Sequence, residues 1–169
     1  MELETKENGL GAATMVEGGG PRPIAGDTVL IHYEIWLGEG VASSNYDHDN
    51  EAYVDSLHDS TYDEENPFSG PIEITIGTET PKDEVYQRGQ SIAGLDEALL
   101  EMKVGGKMAL DIPPHLAYGE EGASSFHTFH GYRTPPHNSI RCNIELVEIK
   151  ASLEPKKEIA ACGPAYEAV

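Results

Sequence analysis

Few side chains in this chain stand at spacings that do chemistry unaided. His127 and His130 are three apart, with His137 close behind, a grouping that could hold zinc. No cysteine or carboxylate sits at a standard ligand spacing from them, so loop histidines are the preferred reading. Asp47, Asp49, Glu51 and Asp55 invite a calcium reading. An EF-hand loop needs Gly at its sixth position and Glu at its twelfth. Counted from Asp47 those positions hold Ala52 and His58, so a solvated acidic loop is preferred. No Ser-His-Asp order, Walker loop or paired catalytic carboxylate is legible, and no metal or other cofactor is expected. What remains is the run Met102-Lys103-Val104-Gly105-Gly106-Lys107-Met108-Ala109-Leu110-Asp111-Ile112-Pro113-Pro114, continuing to Ala117-Tyr118-Gly119. It joins a glycine turn, an alternating strand, a double proline and an exposed-loop tyrosine.

Several elements would have to position such a run. Val29, Ile31, Tyr33, Ile35 and Leu37 alternate with other residues, the period of a strand with one face on a core, and Trp36 falls on the opposite face. Ile72, Ile74 and Ile76 give a second strand that stops at Gly77. Leu95, Ala98, Leu99 and Met102 fall at helical spacing as one apolar stripe, which Gly105-Gly106 ends. Met108, Leu110 and Ile112 alternate up to the prolines, and Ile140, Cys142, Ile144 and Leu146 alternate in a last strand. One short helix with several antiparallel strands predicts an α+β layer. Residues 1–26 carry few apolar side chains and the run Gly18-Gly19-Gly20-Pro21, and read as a flexible leader. Residues 38–66 hold nine Asp and Glu with no Lys or Arg, a long acidic loop. The domain is expected over 27–150, with a tail over 151–169 whose composition allows a short helix or disorder.

The 169 residues fit one domain with tails. Asp and Glu number 30 against 11 Lys and Arg, a formal net charge of −19. Such a field repels phosphate backbones and anionic lipid, so nucleic acid is excluded as an expected partner, while a basic protein partner or simple solubility fits. Two cysteines, Cys142 and Cys162, make no disulfide framework and read as free thiols. No apolar run is long enough to span a bilayer, and the N-terminus lacks a basic region followed by an apolar segment. The expected address is cytoplasmic, the alternative an organelle lumen after removal of a targeting peptide.

Taken with Ile31-His32-Tyr33 upstream and Pro135-Pro136-His137 downstream, the run over 102–119 resembles the FKBP-type peptidyl-prolyl isomerases, the tacrolimus-binding immunophilins. The resemblance covers residues 24–150, is strongest over 92–119, and leaves insertions at 38–57 and 123–132. It implies a twisted antiparallel sheet of about five strands wrapped around one short helix. It also implies a pocket. Tyr33 is similar to the wall tyrosine of the first core strand. Asp59-Ser60-Thr61-Tyr62, followed by Asn66-Pro67-Phe68, resembles the segment that supplies the pocket aspartate, here Asp59, and a wall aromatic, here Phe68. Ile92 resembles the residue whose backbone N–H binds a ligand carbonyl. Tyr118 resembles the tyrosine whose hydroxyl donates to the substrate amide.

The departures from the family pattern fall in that same pocket. His58 stands where Phe is usual ahead of the aspartate, and Leu95 where the floor is usually Trp. Cys142 replaces a wall Phe, Thr134 an Ile before the double proline, and Glu64 an Arg able to pair with the aspartate. The longer loop brings Phe126, Phe129 and Tyr132, which could refill the wall or meet a partner. The implied activity is isomerisation of X-Pro bonds in proline-containing peptide or protein clients, with turnover lowered by these substitutions. The alternative is a non-catalytic binding or scaffold subunit of a larger assembly.

Overall fold

The computed structural model describes residues 2–38, 57–65, 69–78, 91–124, 128 and 133–151. Among these residues a seven-stranded antiparallel sheet carries one α-helix. The strands are β1 (Glu4–Thr5), β2 (Gly11–Val16), β3 (Thr28–Leu37), β4 (Leu57–Ser60), β5 (Ile72–Thr75), β6 (Lys107–Ile112) and β7 (Ile140–Ala151), with α1 (Ala93–Glu101) between β5 and β6. The order across the sheet is β1-β2-β6-β7-β3-β4, and β5 also pairs with β3. β4 therefore covers the Glu34–Trp36 part of β3 and β5 the Thr28–Ile31 part. The edge they share is broken opposite His32 and Tyr33.

The alternating pattern of β3 is realised in full. Val29, Ile31, Tyr33 and Ile35 are buried on the helix side, and Leu30, His32, Glu34 and Trp36 stand on the other. β7 matches it, placing Ile144 opposite Tyr33 and Cys142 opposite Ile35. β6 adds Met108, Leu110 and Ile112 to the same face. Onto this face α1 lays Leu95, Ala98 and Leu99, with Met102 just beyond its end, all buried. Complete burial of each Leu or Ile stabilises the fold by about 1.5–3 kcal/mol, which is why a nine-residue helix without a side-chain N-cap holds its place.

Two sequence expectations are corrected. Residues 1–26 are not a free leader: β2 pairs with β6 from Gly11 to Val16, and Leu10 is wholly buried. Lys6 bonds both Glu97 and Glu101 of α1, and Asn8 Nδ2 donates to Glu97 at 2.6 Å, so the β1–β2 turn is fastened to the helix. The glycine run serves close approach. A Cβ on Gly18 would lie 2.5 Å from the carbonyl oxygens of Lys103 and Val104, backbone atoms that cannot turn aside. The second correction is within the acidic segment, where Leu57–Ser60 is a strand and not a loop. The sheet accordingly has seven strands where about five were expected. Asp47, Asp49, Glu51, Asp55, the loop residues Phe126, His127, Phe129, His130 and Tyr132, and Cys162 lie outside the described residues.

Candidate functional site

Tyr33 is the centre of the candidate site. Its ring comes from the buried face of β3 and is 4% exposed. Its phenol donates to Asp59 Oδ2 at 2.6 Å, the short contact of a hydrogen bond to a charged acceptor. Asp59 is half-buried on β4, directly opposite Ile35. The backbone holds this pair from a second direction. Thr61 follows β4 where the sheet edge breaks, and its N–H donates to the Tyr33 carbonyl at 3.0 Å. Its Oγ1 accepts the Tyr33 N–H at 2.9 Å and lies 2.9 Å from His32 Nδ1.

The residues expected to form an apolar wall come from three elements. Ile92 precedes α1, Leu95 lies in its first turn and Cys142 lies on β7. All three belong with Tyr33 to one buried cluster. Leu95, expected at the pocket floor, is completely buried in the core. Burial pushes the Cys142 thiol up to about 12, the charge of Asp111 adding to it, so this cysteine is a neutral apolar filler and not a nucleophile. The carbonyl of Ile92 accepts the Asp96 N–H at the start of α1, and the Ile92 N–H has no acceptor among the described residues. That donor suits a ligand carbonyl.

Tyr118 follows the double proline through a short 3-10 turn, Pro114–Leu116. The turn closes on itself, the Gly119 N–H bonding the Pro114 carbonyl at 2.8 Å. The expected exposed tyrosine is half-buried and packs against the core cluster. Thr134 is 1% exposed and exchanges two backbone hydrogen bonds with Ala123, at 2.8 and 2.9 Å, which ties the base of the long loop. Tyr33 and Asp59 are thus brought together, Ile92, Leu95 and Cys142 share the buried core with Tyr33, and Tyr118 packs against that core. Phe68 and the side chain of His58 lie outside the described residues. Glu64 is exposed. Sequence reasoning passed over Thr61 as a site residue; its only signal was a hydroxyl two places after the aspartate.

A family profile for FKBP-type peptidyl-prolyl cis-trans isomerases matches residues 20–147. The chain belongs to this family. FKBP relatives include FK506-binding protein 1B of Neurospora crassa, 35% identical over 138 residues, covering 82% of this chain and 96% of that protein. The FK506-binding protein of Neisseria meningitidis serogroup B is 30% identical over 141 residues, covering 83% and 96%. Among solved structures, AtFKBP13 superposes with a TM-score of 0.58 at 27% identity, covering 88% of this chain and 99% of that one. FkpA from Escherichia coli gives 0.57 at 26% identity, covering 88% of this chain and 51% of FkpA. As a member of the FKBP family the chain is an enzyme, a peptidyl-prolyl cis-trans isomerase acting on proline-containing substrates. No helix among the described residues is long and apolar enough to cross a membrane.

Proposed function

We propose that this FKBP-type isomerase works with reduced turnover, and that Tyr33, Asp59, Ile92, Leu95, Cys142 and Tyr118 form its substrate pocket, completed by Phe68, His58 and Thr134. Rotation about an X-Pro bond faces a barrier of roughly 18–20 kcal/mol set by amide resonance. The twisted amide has lost that resonance and is less polar than the planar one. An apolar cavity that strips water from it therefore favours the twisted form, which is differential binding with no covalent step. Tyr118 donates to the carbonyl oxygen of the rotating bond and the Ile92 N–H to a neighbouring carbonyl. The proline ring sits against Tyr33, Phe68 and Leu95, and Asp59 tunes the polar edge.

The observation that carries this reading is the 2.6 Å Tyr33–Asp59 bond, with Tyr33, Ile92, Leu95 and Cys142 buried in one core. The reduced turnover rests on Leu95 and Cys142. An aromatic contact contributes about 0.5–1.5 kcal/mol beyond area burial, and about 1.4 kcal/mol is a factor of ten in rate. Two such losses correspond to a drop on the order of ten- to a hundredfold, with poor affinity for macrolides. A proline-peptide isomerisation assay with Tyr118→Phe as control tests both parts. Residual activity that Tyr118→Phe abolishes is expected; turnover equal to that of a well-formed family member defeats the claim of reduced activity. The proposed clients are proline-containing protein segments, free or within a larger assembly. The proposed address is the cytoplasm, where a thiol such as Cys142 stays reduced; cell fractionation checks it.

A further inference from the structure

We propose that Thr61 is a positioning residue for the isomerase reaction: its hydroxyl replaces a missing rung of the sheet and thereby fixes Tyr33, whose phenol holds Asp59. The inference rests on the pocket assignment above. It begins with the break in the sheet edge. β4 pairs with β3 as far as Glu34↔Ser60, and β5 resumes pairing at Ile31↔Ile72. Between them, the N–H and carbonyl of Tyr33 face a stretch of edge with no continuous strand. A buried N–H left without a partner costs about 1–3 kcal/mol. Thr61 supplies what the strand does not. Its own N–H serves the Tyr33 carbonyl at 3.0 Å, and its Oγ1 accepts the Tyr33 N–H at 2.9 Å.

The hydroxyl is fully used. Oγ1 also lies 3.2 Å from the Tyr33 carbonyl and 2.9 Å from His32 Nδ1. With a proton on Nδ1, the oxygen accepts from both Tyr33 N–H and His32 and donates its single hydrogen to the Tyr33 carbonyl. The residue is 5% exposed, so water does not replace these bonds. His32 is itself held on the outer face, stacked on Tyr62 with ring centroids 4.5 Å apart. Tyr62 in turn donates to Glu145 at 2.5 Å. The backbone at Tyr33 is thus gripped from the outer face, while its ring and phenol project to the inner one. A shift of this backbone carries the phenol with it, and Asp59 loses its donor.

Threonine is the right side chain for a test because its two features separate. Thr61→Val keeps the shape and removes the hydroxyl; Thr61→Ser keeps the hydroxyl and removes a methyl. Proline-peptide isomerisation is measured for both, with urea unfolding as the check on folding. Thr61→Val is expected to lower kcat/KM by up to about fivefold, the loss expected for Tyr33→Phe, while remaining folded. Thr61→Ser is expected to stay within about twofold of the parent. Amide hydrogen exchange at Tyr33 is expected to speed up in the Val variant alone. In a Tyr33→Phe background Thr61→Val should cost little more, because its effect passes through the phenol. Equal losses in Val and Ser, or additive losses with Tyr33→Phe, would overturn the inference in favour of a packing role. If Tyr33→Phe lowers activity and Thr61→Val does not, the positioning role alone falls. If neither variant lowers activity, the pocket assignment falls and this inference with it.

Discussion

Gly94→Ala sets two effects of known size against each other. Gly94 lies inside α1, where replacing glycine with alanine ordinarily gains about 1 kcal/mol of helix propensity. Here the new Cβ would lie 2.5 Å from Ile112 Cγ2, 3.3 Å from Ile112 Cγ1 and 3.3 Å from the Leu116 carbonyl oxygen. Carbon atoms rest comfortably at about 3.5–4.0 Å, so the nearest contact is short by about 1 Å. Ile112 cannot yield: it is completely buried on β6 and its branch restricts χ1. Leu116 O is backbone. The helix must therefore move off the strand, an overpacking that costs about 1–3 kcal/mol. With both neighbours fixed, the upper part of that range applies and exceeds the propensity gain, leaving a net loss of about 2 kcal/mol. For a chain of this size the loss lowers Tm by about 4–8 °C. Urea unfolding followed by circular dichroism should give a lower midpoint with an unchanged slope. Because Gly94 stands between Ile92 and Leu95, kcat/KM should fall further than the folded fraction does. An unchanged or raised midpoint would refute the close α1–β6 contact.

Other perturbations probe the site and its supports. Tyr33→Phe removes the 2.6 Å bond to Asp59 and should lower kcat/KM in the proline-peptide assay by about fivefold, the loss of about 1 kcal/mol expected where the carboxylate keeps part of its water. Burial, together with the bond to Glu145, raises the Tyr62 phenol above its ordinary value. The unfolded chain thus releases this proton first, so the stability Tyr62 contributes is intact below about pH 10 and is lost as pH rises beyond it. Urea midpoints from pH 8 to 11 should fall less steeply in Tyr62→Phe; parallel curves would count against the Tyr62–Glu145 bond. In a Cys162→Ser variant the remaining thiol, Cys142, should ignore Ellman's reagent at pH 8 until urea unfolds the chain, because it is 2% exposed and its pKa is pushed up to about 12.

What could be read in the sequence was whatever depended on period. β3, β5, β6, β7 and α1 each carry an apolar residue at every turn of their repeat, and the chain has no competing way to bury them. β2 carries no such repeat. Gly11-Ala12-Ala13-Thr14-Met15-Val16 is small or exposed along most of its length, and it is a strand because β6 offers it a ladder, not because it buries a face. β4 was hidden in the same way: Leu57-His58-Asp59-Ser60 has one apolar residue in an acidic run, and its pairing to β3 decides its form. The site divides along the same line. Tyr33, Leu95 and Cys142 lie on periodic elements, so their burial could be read in advance, whereas Asp59, Thr61 and Tyr118 depend on partners far away in the chain.

That division bears on how the pocket changes with substitution. Leu95 and Cys142 occupy positions where any apolar side chain of suitable volume satisfies the core, so the wall can lose aromatics without unfolding the protein. The Tyr33–Asp59–Thr61 set has no such latitude. Each member is a donor or acceptor that another member needs, and removing one leaves a polar group unpaired in a largely buried place. In the proposed pocket the apolar wall is therefore free to drift in shape, and hence in affinity and turnover, while the Tyr33–Asp59–Thr61 edge stays fixed. Substitutions at Leu95 and Cys142 should accordingly change the rate with the fold intact, whereas those at Tyr33 and Asp59 should lower it by breaking the bond between the two.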